Sequence, residues 1–183
     1  MMVMHIGDIK ALAKSAHDDA GVRERLFATL LGAQTSPSAT TQDKEAVNAA
    51  WALTHLPKED NIYINMYRAR LVQLAVTTPE VPLRRLSMVL LERLEWGRDD
   101  IRTDLLDFCL EHMMLPDEPY GVKALCIKLA YQQCRHYPEL CAELKQCLLL
   151  LEPTELGAGV RHTRGKILQI LNLNQNEKNK KNF

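Results

Sequence analysis

The chain has 183 residues, 46% of them hydrophobic and 25% charged, and its 23 basic and 23 acidic side chains give a formal net charge of zero. This is the composition of a folded globular protein, and because the charges balance, a charged partner can be recognised only through local segregation of charge. The sequence contains no run near the roughly 18 apolar residues that a membrane span needs, and its amino terminus lacks the basic start and apolar segment of a signal peptide. We therefore expect a cytoplasmic protein that makes no contact with a membrane.

Eight amphipathic helices are predicted along the chain, because apolar residues recur at steps of three, four, seven and eight and so lie on one face of a helix. In chain order these stripes contain Leu26, Val47, Tyr67, Leu83, Leu105, Val122, Leu144 and Val160. The second helix of each pair begins at position 47, 83, 122 or 160, which gives repeat lengths of 36, 39 and 38 residues. A single helix pair cannot bury its apolar stripe, but stacked pairs share a continuous core. The sequence therefore predicts an all-α fold of about four stacked antiparallel helix pairs.

Proline and glycine mark the joints between these helices. Thr78 and Pro79 are predicted to cap and open one helix, Pro138 to open another, and Gly97 and Gly157 to stand between helices. The segment 34–42, QTSPSATTQ, is the longest polar connection. Residues 174–183 are rich in Asn and Lys and have little to bury, so we expect a single domain over residues 1–173 followed by a disordered tail.

A basic residue follows the first apolar residue of the second helix in three of the four pairs, as Leu83-Arg84, Val122-Lys123 and Val160-Arg161. Within a hairpin of about 40 residues this pattern resembles the HEAT/armadillo class of α-solenoids, over residues 20–172. The first pair departs from it, because Asn48 stands in the basic position. The resemblance implies an α-α superhelix whose second helices line a concave surface.

The basic residues at these helix starts allow two interpretations. In proteins of the HEAT class such a residue bonds a carboxylate or carbonyl at the turn between the two helices, and Glu80, Glu118 and Glu155 lie four to six residues earlier. The same residues could instead form a row that binds anions. The sequence leaves both interpretations open.

Two successive second helices carry basic side chains and almost no acidic ones. The helix over 119–136 contains Lys123, Lys128 and Arg135, and the helix over 157–171 contains Arg161, Arg164 and Lys166. On the concave surface that the resemblance implies, they form a basic groove that suits a phosphate backbone or an acidic protein surface. The alternative is an ordinary solvated face. The predicted binding residues are Arg84, Lys123, Lys128, Arg161, Arg164 and Lys166.

The helix after Gly97 carries the opposite charge. Asp100, Asp104, Asp107 and Glu111 follow at steps of four, three and four residues and so form a stripe beside the apolar one. Like charges at this spacing destabilise a helix by about 0.2–0.5 kcal/mol per pair, so a docking role is conceivable. A solvated outer face explains the stripe with fewer assumptions.

The five cysteines all lie within helical patterns, and their odd number favours reduced, buried thiols over a disulfide framework. Cys134, His136 and Cys141 could ligate a metal across a helix joint, but no fourth ligand follows at a standard spacing. We expect no metal and no cofactor.

The last helix has more apolar residues than one stripe needs. They are Ile167, Leu168, Ile170, Leu171 and Leu173. Because a terminal repeat normally turns a polar face outward, we expect the tail, a second copy in a homodimer or a protein partner to cover this end.

These patterns favour a non-catalytic interaction module that binds a macromolecule through a basic concave face or through its apolar end. The alternative is a DNA-binding protein or an alkylated-DNA repair enzyme, because glycosylases built from HEAT-like repeats are similar in architecture and in their basic second helices. That resemblance implies aromatic and carboxylate residues in the groove, and no residue here can be placed on those positions. We therefore assign no catalytic residue. A Trp and an acidic side chain beside Arg161, Arg164 and Lys166 would favour the enzyme.

Overall fold

The computed structural model describes residues 4–32 and 42–181, and only the backbone of residues 42, 43 and 174–181. This part of the chain contains ten α-helices and no strand, which confirms the predicted all-α class. The helices are α1 (Ile6–Asp18), α2 (Ala20–Gly32), α3 (Gln42–Thr54), α4 (Asn61–Met66), α5 (Arg68–Thr77), α6 (Val81–Glu92), α7 (Thr103–Met114), α8 (Tyr120–Cys134), α9 (Pro138–Leu150) and α10 (Ala158–Lys181). Short 3-10 turns lie at Lys58–Asp60, Arg98–Asp100 and Pro153–Glu155. The predicted connection over 34–42 lies outside the described residues except for Gln42, which begins α3.

The chain divides into two compact units, Met1–Leu94 and Glu95–Phe183. In the first unit α2 packs on α3 and α5 on α6, which are two of the predicted helix pairs, and α3 packs on α6 to join them. The core of this unit is apolar, with Phe27, Leu53, Leu71 and Leu90 among its fully buried side chains. Sequence patterning missed α1, which packs on α2 and α3 through Ile9, Ala13 and Ala16.

The single helix predicted around Tyr67 is instead two, because α4 ends at Met66 and α5 begins at Arg68, with Tyr67 between them. The ring of Tyr67 stacks on Phe27 of α2, with 4.2 Å between the ring centroids. Aromatic stacking against a neighbouring helix stabilises this interruption, which local periodicity cannot reveal.

The second unit contains the other two helix pairs. Helix α7 packs on α8, α9 packs on α10, and α8 packs on both α9 and α10. Buried Cys109, Leu129, Leu144 and Val160 lie on these contact faces. Since consecutive pairs share buried side chains, each pair completes the core of its neighbour, as the repeat interpretation requires.

The helix starts differ in part from those predicted. Pro138 is the first residue of α9, as expected. Helix α6 instead begins at Val81, two residues after the predicted proline, with Glu80 at the N-cap and Pro82 in the first turn. The Thr78 hydroxyl accepts a hydrogen bond from the Glu80 amide, so it turns the chain before the helix without capping it.

All five cysteines are free thiols, but they are not equally buried. Cys109, Cys126 and Cys134 are buried, whereas Cys141 and Cys147 are half-buried. Burial raises the pKa of Cys134 to about 12 and also raises the pKa of Cys109 and of Cys147. A buried thiolate is unfavourable, so these thiols stay protonated and react slowly.

Helix α10 continues through Lys181, so the backbone of residues 174–181 is helical where we expected disorder. Residues 182 and 183 lie outside the described part. A tail that melts in solution and a single domain over 1–173 both stay predictions. Of the described helices, none is both long and apolar enough to cross a bilayer.

Candidate functional site

The basic residue at the start of a second helix bonds a carbonyl group in the preceding turn. A guanidinium nitrogen of Arg84 donates to the Thr78 carbonyl oxygen at 2.9 Å, and the Lys123 ammonium donates to the Pro116 carbonyl oxygen at 3.4 Å. Lys123 is only 6% exposed, so its contacts are internal to the fold. These bonds fit the structural alternative for the two residues, and a binding role for either stays a prediction.

A basic side chain also bonds carbonyl groups of the preceding turn at one position that the repeat pattern missed. Arg23 of α2 is buried and donates to the carbonyl oxygens of Ala16 at 2.8 Å and His17 at 3.3 Å, at the end of α1. A cation at these carbonyl groups satisfies acceptors that the end of a helix leaves unpaired. Helices α1 and α2 therefore form a further hairpin of the same kind, which the repeat spacing could not reveal because Arg23 stands only 25 residues before Asn48.

The suggested glutamate partners do not fill that role uniformly. Glu118, a candidate partner of Lys123, bonds His112, with 2.6 Å between its carboxylate oxygen and Nδ1. The His112 ring stacks on Phe108, with 3.8 Å between the ring centroids. Arg161 is exposed and makes no hydrogen bond or ion pair through its side chain with any residue in the described ranges. Of the three basic positions compared, Arg161 alone is therefore open to a partner.

A second set of arginines clamps the ends of helices, and sequence patterning did not single it out. Arg93 directly follows α6, and its two terminal nitrogens donate at 2.8–3.3 Å to the carbonyl oxygens of Leu53, Thr54, Leu56 and Pro57. Its Nε donates to the Asn61 side chain at 3.0 Å. Arg135 directly follows α8 and donates to the Trp96 carbonyl oxygen at 2.6 Å. The common signal is an arginine at the residue that ends a second helix.

Arg164 also has an internal partner. It is half-buried, and its Nε donates at 2.7 Å to the carbonyl oxygen of Leu148, in the last turn of α9. A cation at the carboxyl end of a helix satisfies an unpaired carbonyl group and compensates the helix dipole. Arg164 therefore ties α10 to α9, whatever else it binds.

The remaining predicted residues, Lys128 and Lys166, occupy equivalent positions, since they are 38 residues apart, as are Val122 and Val160. Lys166 is exposed and Lys128 half-buried. With 3.6 residues per turn, Arg161 and Lys166 point about 140° apart around α10. Lys128 and Lys166 thus mark one face of the second unit and Arg161 marks another. Arg84 belongs to the first unit.

The acidic stripe is shorter than predicted. Asp100 lies in a 3-10 turn before α7, where its carboxylate accepts from the Gly97 amide at 2.9 Å. Asp104 is bonded through both oxygens to Arg102, at 2.6 and 3.0 Å, and this hydrogen bonding lowers the pKa of Asp104. Asp107 and Glu111 are exposed on α7. Two carboxylates of the predicted four are therefore engaged in local bonds.

Exposed apolar side chains gather at the turns that join α7 to α8 and α9 to α10. We call this set the turn edge, and it comprises Met114, Leu115, Tyr120, Leu149 and Leu150. Leu150 is 74% exposed and Tyr120 54% exposed. The Tyr120 hydroxyl donates to the Glu155 carbonyl oxygen at 3.4 Å, and the Tyr120 ring lies against Gly157, so the two turns touch.

The last helix is less exposed than its apolar excess suggested. Ile167 and Leu171 are buried within the second unit, Leu168 and Ile170 are half-buried, and only Leu173 of the predicted set is exposed, at 56%. Contacts to α8 and α9 therefore cover much of the surface for which we expected an outside partner. A homodimer through this helix stays a prediction.

The features that would favour a DNA repair enzyme do not converge in the second unit. Trp96 is 1% exposed, so its ring cannot stack on a base at the surface. Trp51 belongs to the first unit. Among the residues whose side chains are described, no three His, Cys, Asp or Glu side chains are placed to hold a metal ion.

The model of one protein family, described as the HEAT repeat domain, matches residues 2–171. The match covers α1 to α9 and the first part of α10, and it includes α1, which lies before the region of the predicted resemblance. Comparison with curated proteins and with solved structures finds no match.

Proposed function

Because the chain belongs to the HEAT repeat domain family, we propose that it is a non-catalytic module that binds another protein through the turn edge of its second unit. The observation that carries the proposal is the group of exposed apolar side chains at the two touching turns, headed by Leu150 and Tyr120. Isolated exposed apolar residues are ordinary, whereas several exposed apolar residues at two touching turns favour an interaction surface.

The chemistry of this edge suits a protein partner better than a nucleic acid. Tyrosine offers a large rigid apolar surface with a polar end, and it is enriched among the residues that dominate protein interfaces. Leu149 and Leu150 offer apolar side chains, and a charged phosphate backbone has no apolar surface that could bury them. The chain as a whole has no net charge, whereas DNA-binding domains are usually basic.

Basic side chains of the second unit favour a partner with a negatively charged surface. Arg161 is exposed and lies one helical turn after Gly157, which adjoins the Tyr120 ring. Lys166 and Lys128 add positive charge on another face of the same unit. We therefore propose that the partner protein binds through an acidic surface. The affinity of this complex should fall as the salt concentration is raised.

The proposal is tested by affinity capture with the full chain as bait, followed by quantification of the captured proteins. One protein should bind the wild type and be lost from both Leu150→Asp and Arg161→Glu, each by roughly fivefold to thirtyfold, because a central interface residue contributes about 1–2 kcal/mol. Glu139→Lys, an exposed change at the other end of α9, is the control and should retain it.

Binding of labelled single- and double-stranded DNA tests the alternative that the partner is a nucleic acid. We expect no change in fluorescence anisotropy at low salt. Tight binding that falls steeply with the logarithm of salt concentration and is lost from Arg161→Glu would replace the protein partner with a nucleic acid.

A further inference from the structure

The first unit contains a cavity that plays no part in the proposed interaction surface. It is a largely open groove of about 340 Å³, and its four polar lining residues are all exposed. It opens between α1 and the turn that follows α3. The lining residues are Lys10, Ala13, Lys14, His17, His55 and Pro57.

Four of these residues form one face of α1. Lys10, Ala13, Lys14 and His17 follow at steps of three, four and seven from the first, so their side chains lie on the same side of the helix. Two lysines four residues apart repel each other and destabilise a helix by about 0.2–0.5 kcal/mol. Neither ammonium has a side-chain hydrogen bond or a close ion pair with any other described residue, although Asp18 follows Lys14 at the same four-residue step.

Both histidines use Nδ1 as a donor within the fold, so Nε2 accepts in a neutral ring and can donate to an anion only when the ring is doubly protonated. His17 Nδ1 donates to a carboxylate oxygen of Asp60 at 2.8 Å, and His55 Nδ1 donates to the Trp51 carbonyl oxygen at 3.0 Å. Because carboxylates and carbonyl groups only accept, each Nδ1 carries a proton, and Nε2 is left for another partner. When His17 is doubly protonated, its Nε2 also donates.

The bond to Asp60 compensates the charge of His17, so the net positive charge of the cavity lining comes from Lys10 and Lys14. Asp60, Asp18 and Glu59 all act on His17, but none of the three lines the cavity. The Asp60 carboxylate is buried, bonds His17, and interacts with the guanidinium of Arg93. The lining therefore presents two ammonium groups and two imidazoles, with no carboxylate among them.

The cavity is larger than a phosphate ion needs, and part of its wall is apolar. Ala13 and Pro57 form this apolar part of the wall. An anion attached to a small organic group would use both the cationic and the apolar walls. We infer that this cavity binds a small phosphate monoester, held by Lys10, Lys14 and His17.

Phenyl phosphate and inorganic phosphate are the probes, and the affinity is measured by NMR titration of the full chain. We expect phenyl phosphate to bind several-fold more tightly than phosphate, with shifts centred on α1 and on His55. The double variant Lys10→Gln/Lys14→Gln should bind phenyl phosphate roughly tenfold more weakly, because two charge-assisted contacts are lost. Lys44→Gln, an exposed lysine elsewhere in the first unit, is the matched control and should bind as the wild type does.

Phenyl sulfate tests the role of His17, because the charge of phenyl sulfate stays constant over the pH range in which a phosphate monoester loses its second proton. Its binding should weaken as pH rises through the titration of His17, and His17→Asn, whose amide can still donate to Asp60, should lack this dependence. Binding should also raise the pKa of His17, and the NMR signals of His162, an exposed histidine in the second unit, should not shift.

Three results would overturn the inference. They are the absence of shifts at the cavity, an affinity that the double lysine variant leaves unchanged, and shifts spread evenly over the basic residues of the chain. Equal binding of phosphate and phenyl phosphate would overturn the choice of a monoester.

Discussion

Replacing Arg93 should destabilise the first unit more than any other single arginine change on its surface. The guanidinium donates to four carbonyl groups at the end of α3 and to the Asn61 side chain, and the Arg93 carbonyl accepts from the same amide at 3.0 Å. A hydrogen bond from a charged group contributes about 1.5–3 kcal/mol in isolation, but bonds that share one side chain are not additive. Because Arg93 is half-buried, we expect Arg93→Met to reduce the free energy of unfolding by about 3–4 kcal/mol.

Urea unfolding followed by circular dichroism measures this change, and the melting temperature should fall by roughly 6–16 °C. Arg93→Lys keeps the charge but loses the planar fork, so it should recover about half of the loss. Arg70→Met, an exposed change on α5, is the control and should stay within about 0.5 kcal/mol of the wild type. If Arg93→Met and Arg70→Met unfold alike, the carbonyl clamp does not stabilise the fold and the reasoning is wrong.

Three further predictions follow from single sites. In Gly157→Ala the new Cβ would lie 2.8 Å from the Tyr120 ring, so we expect a loss of about 1 kcal/mol by urea unfolding that is absent in a Tyr120→Ala background. Thiol titration at pH 8 should modify at most Cys141 and Cys147 in the folded chain, and rapid reaction of Cys134, whose pKa burial raises to about 12, would contradict its placement. The bond to Asp60 raises the pKa of His17 above 6.5, so its contribution to stability is complete below about pH 6.5 and is lost as pH rises through the folded-state pKa. A urea midpoint whose pH dependence is the same in His17→Asn as in the wild type would refute this.

The helix pairs could be predicted because their apolar stripes are long and repeat at nearly constant spacing. Val122 and Val160 are buried at equivalent positions, and the helices that carry them pack on each other. The stripe of α1 was missed because two of its three buried residues, Ala13 and Ala16, are too small to give a strong hydrophobic pattern. The break at Tyr67 depends on a contact with another helix, and no local pattern contains that information.

The candidate site could be predicted only in part, because charge in a sequence does not reveal what a side chain reaches. Lys123 and Arg161 occupy the same repeat position, yet one is buried on a carbonyl group and the other is exposed. Arg164 was grouped with Lys166 by charge, but its Nε bonds the end of α9. The turn edge was missed because Leu149, Leu150 and Tyr120 fall at helix ends, where periodicity no longer separates exposed from buried positions.

Site-specific photo-crosslinking at the turn edge tests the proposed interaction most directly. A photoreactive phenylalanine derivative at Tyr120 should form a covalent adduct with one partner protein, and the same group at the exposed position of Asp107 on α7 should not. Leu150→Asp should abolish the adduct without changing the melting temperature by more than about 2 °C, because Leu150 is exposed. Equal crosslinking at the two positions, or an adduct that Leu150→Asp leaves intact, would contradict binding through the turn edge.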